Sequence, residues 1–180
     1  MSINNTEFDI RIKDNFLNEE DYNKIKLYTK SIFWKPTSLS YSTNNPAHVW
    51  FTDDAPDEIT ELMKKEVSKL FNVEILNVGM NQFSFVTKSK KSEVHNDASE
   101  ITNFQTILYI DGDGDENVHS GTGFYVQTDD NKFELNTHIG FRPNRIVSWT
   151  SNVYHAPLSF ADTFQKRISL VTQYKIKEKI

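Results

Sequence analysis

The sequence predicts a mainly β domain in which two N-terminal helices pack on a C-terminal sandwich or barrel. Three observations carry that expectation. The first 72 residues hold two stretches with apolar residues at helical spacing. From Val73 onward the pattern changes to short apolar or alternating runs separated by Gly, Asn and Asp. No repeat, low-complexity tract or Pro/Gly/Ser-rich linker divides the chain. One domain over residues 1–180 is therefore expected, with helical support over about 1–72 and a β core over about 73–176.

Glu7 to Lys13 alternates polar and apolar residues as a strand does. Asn18 then stands before Glu19, Glu20 and Asp21, an N-cap followed by acidic residues that favour a helix start. Tyr22, Ile25, Tyr28 and Ile32 continue at helical spacing. Thr37 to Asp53 reads as extended or looped. Asp54 or Ala55 leads through Pro56 into a second helix, whose stripe of Ile59, Leu62, Met63, Val67, Leu70 and Phe71 runs to about Asn72. Strands are expected at Val73–Val78, Gln82–Thr87, Phe104–Ile110, Gly123–Gln127, Lys132–Ile139, Arg145–Trp149 and Arg167–Lys175. The run from Asp111 to Asp115 has the look of a calcium loop. It has Glu116 and Thr122 where such a loop needs glycine and glutamate, and reads as a solvated hairpin loop.

Composition narrows the function. The 180 residues contain 13 Phe, 7 Tyr and 3 Trp, enough large side chains for a sizeable core. No apolar run reaches membrane-spanning length, and Met1 to Asn5 lacks the parts of a secretory signal. The absence of cysteine excludes disulfides, thiolate metal sites and cysteine nucleophiles, and fits a cytoplasmic setting. A net charge of −5 argues against nonspecific nucleic-acid binding, which depends on neutralising phosphates.

His95 and Asp97 are two residues apart, His155 follows far downstream, and Arg167 opens the last apolar run. Five His and thirteen Asp would give a His-x-Asp spacing by chance roughly 0.4 times, so the pair alone decides nothing. The pair lies between two expected strands, His155 follows the Ile146–Trp149 run, and such strand ends can converge at one mouth of a sandwich. Two imidazoles and a carboxylate are the ligand set of a non-haem Fe(II) site with open positions. An arginine beside it suits a dicarboxylic co-substrate, because guanidinium pairs bidentately with carboxylate and stays charged.

On these residues the chain resembles the Fe(II)/2-oxoglutarate-dependent dioxygenases, near their prolyl-4-hydroxylase-like branch, over roughly Val73 to Tyr174. His95, Asp97 and His155 match the metal triad, and Arg167 with Ser169 matches the Arg-x-Ser element that holds the distal carboxylate of 2-oxoglutarate. Tyr109, in Ile107-Leu108-Tyr109-Ile110, matches a tyrosine that often bonds the same carboxylate. Ser120 to Tyr125 and Pro143 to Val147 resemble the strand start and turn that follow. The resemblance implies a double-stranded β-helix, a jelly-roll sandwich with supporting helices. It also implies Fe(II), 2-oxoglutarate and O2, with ascorbate as reductant. The activity it implies couples decarboxylation to succinate and CO2 with hydroxylation of a small-molecule or peptidyl amino-acid substrate. Phe85 and Ser120 depart from the family, standing where relatives often have tyrosine and glycine; Asp97 argues against a halogenase-like site.

Strand alternation suggests which side chains meet a substrate. If Phe85 faces the sandwich interior, Phe83 and Asn81 share its face, and Arg167, Ser169, Val171 and Gln173 point inward together. Asn81, Gln173 and Arg142 are then the substrate candidates, with Trp50, Tyr125 and Trp149 behind them. His48, His119 and His138 lack motif partners and read as surface or structural. Two other readings stay open: a jelly-roll metal-binding or structural module without turnover, and a cupin-like metalloenzyme that uses no keto acid.

Overall fold

Two antiparallel sheets, one of seven strands and one of three, make up the β core of the computed structural model, which describes residues 8–36, 48–87, 93–112, 119–130, 132–159 and 166–177. In chain order the elements are β1 (Arg11–Lys13), α1 (Glu19–Tyr28), β2 (Lys35–Pro36), β3 (His48–Asp54), α2 (Asp57–Phe71) and β4 (Ile75–Thr87). They continue with β5 (Phe104–Gly112), β6 (Ser120–Gln127), β7 (Phe133–Gly140), β8 (Ile146–Thr150), β9 (Tyr154–Ser159) and β10 (Arg167–Ile176). The large sheet runs β1-β8-β5-β10-β4-β3-β2 and the small one β7-β6-β9. This is the mainly β sandwich with N-terminal helices that the sequence predicts.

Both helices form for local reasons. The Asn18 side chain accepts a hydrogen bond from the Asp21 backbone N–H at 2.9 Å, and the acidic first turn suits the positive end of the helix dipole. α1 stops at Tyr28, one turn short of Ile32. α2 buries Ile59, Met63, Val67 and Phe71, a one-sided stripe, and ends where Asn72 takes the left-handed conformation at φ 52°. These stripes cover one face of the large sheet, packing with Phe83, Phe104, Leu108, Ile146, Leu170 and Tyr174. A second cluster fills the space between the sheets: Ile107 and Tyr109 from β5, Val147 and Trp149 from β8, and Phe124 from β6.

Three differences from the sequence reading matter. The N-terminal 72 residues are more than helical support, because β1 forms one edge of the large sheet and β2 and β3 the other. The two strands expected at Val73–Val78 and Gln82–Thr87 are one 13-residue strand, which begins at Ile75 and runs on through Gly79. The third concerns which way β4 faces. Cross-strand partners share a face. Gln173 pairs with Met80 and Gln105, Val171 with Gln82 and Ile107, and Ser169 with Ser84 and Tyr109, so these line the inner face. Leu170 pairs with Phe83 and Thr172 with Asn81, which places Asn81, Phe83 and Phe85 on the helix side.

No helix among the described residues is long and apolar enough to cross a membrane. Of the acid-rich loop, Asp111 and Gly112 end β5, and residues 113–118 lie outside the described residues.

Candidate metal centre

His155 sits on β9, and the short segment carrying His95 docks beside it as an isolated antiparallel bridge. That bridge extends the small sheet by one residue and brings both imidazoles to one side, with ring centroids 4.6 Å apart. Asp97 follows, its backbone N–H bonded to the Ser151 carbonyl at 3.0 Å in the turn between β8 and β9. One potential ligand atom from each of His95, Asp97 and His155 lies within 4.8 Å of the others. Asp97 Oδ2 is 3.3 Å from His155 Nε2 and 3.9 Å from His95 Nε2.

The backbone orients both imidazoles. His95 Nδ1 is 3.0 Å from the Glu93 carbonyl and His155 Nδ1 is 3.0 Å from the Val153 carbonyl. A carbonyl only accepts, so each Nδ1 donates to it, and each ring turns Nε2 toward Asp97. Burial pushes the Asp97 carboxyl up, but the hydrogen bond with His155, the Gln105 amide and the two imidazoles outweigh it and hold the pKa at about 2. At neutral pH Asp97 is a carboxylate.

The triad opens into a cavity of about 230 Å³. Phe51, Met80, Ile107, Trp149, Pro157 and Val171 give it apolar walls, and Ser84, Thr122, Gln173 and Arg167 add polar groups. Arg167 is buried, at 4% exposure, with one terminal nitrogen donating to the Gly121 carbonyl and its guanidinium carbon 5.5 Å from the centre of the Tyr109 ring. Among the described residues its Nε has no partner and no carboxylate pairs with it. Desolvation lowers its pKa without bringing an arginine near neutrality, so the site carries a buried cation that no described carboxylate compensates. Such a cation suits an anionic ligand. Ser169 is also buried with its hydroxyl unpartnered among the described residues.

Tyr109 is fully buried beneath the guanidinium, and its hydroxyl shares a 2.8 Å hydrogen bond with Thr122 Oγ1. Burial raises its pKa and keeps the phenol neutral. Thr122, on β6, is the hydroxyl that reaches the cavity wall there, and nothing in the sequence marks it. Gln105 escaped the sequence reading as well: its Nε2 donates to Asp97 Oδ2 at 2.6 Å from the neighbouring β5.

Of the substrate candidates, Gln173 lines the cavity. Asn81 and Arg142 do not belong to it. Asn81 is a buried amide that donates to Thr60 Oγ1 and accepts from Thr172 Oγ1, joining α2 to the sheet. Arg142 pairs with Asp14 at 2.9 Å, where Arg145 also binds that carboxylate through two nitrogens. Phe85 packs on Trp34 with ring centroids 5.3 Å apart, on the helix side of β4 and away from the cavity. Trp149 lines the cavity, 4.9 Å from the His155 ring, while Tyr125 is buried. Trp50 pairs with Phe85 in the register of β3 and β4. His119 is exposed; half-buried His138 is held below the ordinary imidazole range by burial first and by the Arg167 charge second. The side chain of His48 lies outside the described residues.

No family model matches the chain, and no curated protein matches it in sequence. Its fold does match solved structures. A Pseudomonas putida prolyl-4-hydroxylase aligns over 96% of this chain and 95% of its own, at 13% identity and a TM-score of 0.54. An oxidoreductase of the 2OG-Fe(II) oxygenase family from Burkholderia pseudomallei aligns over 92% and 85%, at 13% identity and 0.62. The epimerase SnoN, in complex with Fe3+, α-ketoglutarate and nogalamycin RO, aligns over 93% and 78%, at 10% identity and 0.62. The chain has the fold of the 2OG-Fe(II) oxygenases, prolyl-4-hydroxylases included.

Proposed function

We propose that this chain is an Fe(II)- and 2-oxoglutarate-dependent dioxygenase, a hydroxylase of an amino-acid residue or small molecule. One observation carries the reading: a His95-Asp97-His155 triad opens into the same cavity as a buried arginine with no carboxylate partner among the described residues. A metal-binding module without turnover has no use for that cation, and neither does a cupin-like enzyme that binds no keto acid. The likeness to 2OG-Fe(II) oxygenases supports the same conclusion at the level of fold.

The donor set fits the ion. Two neutral Nε2 atoms and one carboxylate oxygen would hold Fe(II) on one side and leave positions free on the other. When bound, Fe(II) and 2-oxoglutarate supply the oxidising chemistry, in which O2 is consumed and succinate and CO2 are released. The chain's own residues bind and orient. Arg167 pairs with the distal carboxylate of 2-oxoglutarate, Tyr109 stacks beneath the guanidinium, and Thr122 and Ser169 offer hydroxyls beside it. The walls formed by Phe51, Met80, Ile107 and Trp149 keep water from the reacting carbon, and Gln173 supplies a carboxamide for a neutral polar group of the substrate. In this reading residues 1–180 act as one domain, with His95, Asp97 and His155 as metal ligands and catalytic residues.

The experiment is anaerobic addition of Fe(II) and 2-oxoglutarate to the apoprotein, followed by visible absorption, then aerobic succinate formation with ascorbate present. A charge-transfer band in the wild type that disappears in His155→Ala is the expected result. A wild type with no band and no succinate across peptides, free amino acids and nucleosides would end the proposal.

A further inference from the structure

We infer that Gln105 is a positioning residue for Asp97, an inference that rests on the metal-centre reading above. Gln105 is fully buried on β5, at 0% exposure, and its register partners are Gln173 on β10 and Trp149 on β8. The amide thus stands on an interior strand of the large sheet, paired on both sides and facing inward. Asp97 sits in an irregular segment between the His95 bridge and β5. Its main chain is fixed by the bond to Ser151, but that bond does nothing to choose the rotamer of the carboxylate. Gln105 Nε2 chooses it, donating at 2.6 Å to Oδ2, the oxygen turned toward both imidazoles.

Two features separate this from ordinary packing. Gln105 Oε1 is buried with no partner among the described residues, so as a core residue the amide is poorly satisfied; leucine or methionine would fill the place with no orphaned acceptor. The amide makes sense there through what its other end holds. A glutamate would set two carboxylates against each other, whereas a neutral donor occupies one lone pair of Oδ2 and leaves another for the ion. The sheet therefore orients the metal ligand that comes from a loop.

The test is a Mn(II) titration of the wild type, Gln105→Leu and Gln105→Met, read by electron paramagnetic resonance, with thermal unfolding of each metal-free protein. Loss of the orienting bond should weaken Mn(II) binding about 10- to 100-fold in both variants. Their metal-free melting temperatures should match or exceed the wild type. Binding within about threefold of the wild type in either folded variant overturns the inference. A wild type that binds no Mn(II) overturns the metal-centre reading itself, a distinguishable pattern. Should neither variant fold, the wild type still decides: the Gln105 side-chain amide resonance must move when Zn(II) is added, and an unmoved resonance refutes the role.

Discussion

His95 and His155 exchange both of their backbone hydrogen bonds, the N–H of His95 to the His155 carbonyl at 3.1 Å and the N–H of His155 to the His95 carbonyl at 2.8 Å. In an antiparallel pair such residues lie directly opposite and project their side chains to the same side. The two imidazoles are therefore brought together by main chain, across 60 residues of sequence. The bridge uses no side-chain atom.

Metal addition should accordingly stabilise the wild type and leave the alanine variants unmoved. A ligand at 100 times its dissociation constant adds about 2.7 kcal/mol. For a chain of this size that corresponds to a rise in melting temperature of roughly 5–11 °C. Differential scanning fluorimetry with Mn(II) or Zn(II) should show such a rise in the wild type and none in His95→Ala or His155→Ala. Equal shifts in all three proteins would mean that the ion binds elsewhere.

Arg167 should govern the co-substrate and have little influence on the ion. Each hydrogen bond to a charged group contributes about 1.5–3 kcal/mol, so loss of a bidentate pair should weaken 2-oxoglutarate about 100-fold or more. Arg167→Met removes the buried cation, so the metal-free protein should melt no lower than the wild type. Arg167→Lys should recover little affinity, because a point charge cannot reproduce the fork. Titration of 2-oxoglutarate at saturating Mn(II) separates the cases, and an unchanged dissociation constant in Arg167→Met would exclude the arginine from the binding site.

The sequence singles out His95, Asp97, His155 and Arg167 because histidine and arginine are few in this chain and their order is chemically specific. It misplaced Asn81 and Phe85 because β4 is covered on both faces, by helices on one and the small sheet on the other. Apolar residues then occur at both parities, and a one-residue choice of face reverses every side chain. Arg142 was misread because its partner, Asp14, is 128 residues away. Gln105 and Thr122 carry no motif; a glutamine or threonine in a buried strand acquires its meaning only from the neighbour it meets.

The Asp14 cluster gives a pH-dependent prediction. Hydrogen bonding to Arg145 lowers the Asp14 pKa more than partial burial raises it, and the charges of Arg145 and Arg142 lower it further. A depressed carboxylate stabilises the fold at pH values above its unfolded pKa of about 3.9, and that stability is lost as pH falls through the folded value. Asp14 is about one-third exposed, so the contribution at neutral pH is discounted to about 1 kcal/mol. Asp14→Asn should therefore be less stable by that amount at pH 7, and the two denaturant curves should converge below pH 4. A gap that persists undiminished at pH 2 would show that the ionised carboxylate is not its source.

Two glycines on β6 differ in what an added Cβ would meet. A Cβ at Gly121 would lie 2.0 Å from the Ile139 carbonyl oxygen, so the paired strand itself would have to move. At Gly123 the nearest atoms are the Tyr125 hydroxyl at 2.9 Å and a Leu158 methyl at 3.0 Å, ends of side chains that can turn aside. Gly121→Ala should thus cost about 2–4 kcal/mol and Gly123→Ala about 1 kcal/mol. The Gly121 carbonyl also accepts from the Arg167 guanidinium, so displacing it disturbs the cation proposed to hold 2-oxoglutarate. Chemical denaturation and 2-oxoglutarate titration of both variants should show Gly121→Ala worse on each count. Equal effects would mean that β6 yields as readily against backbone as against side chains.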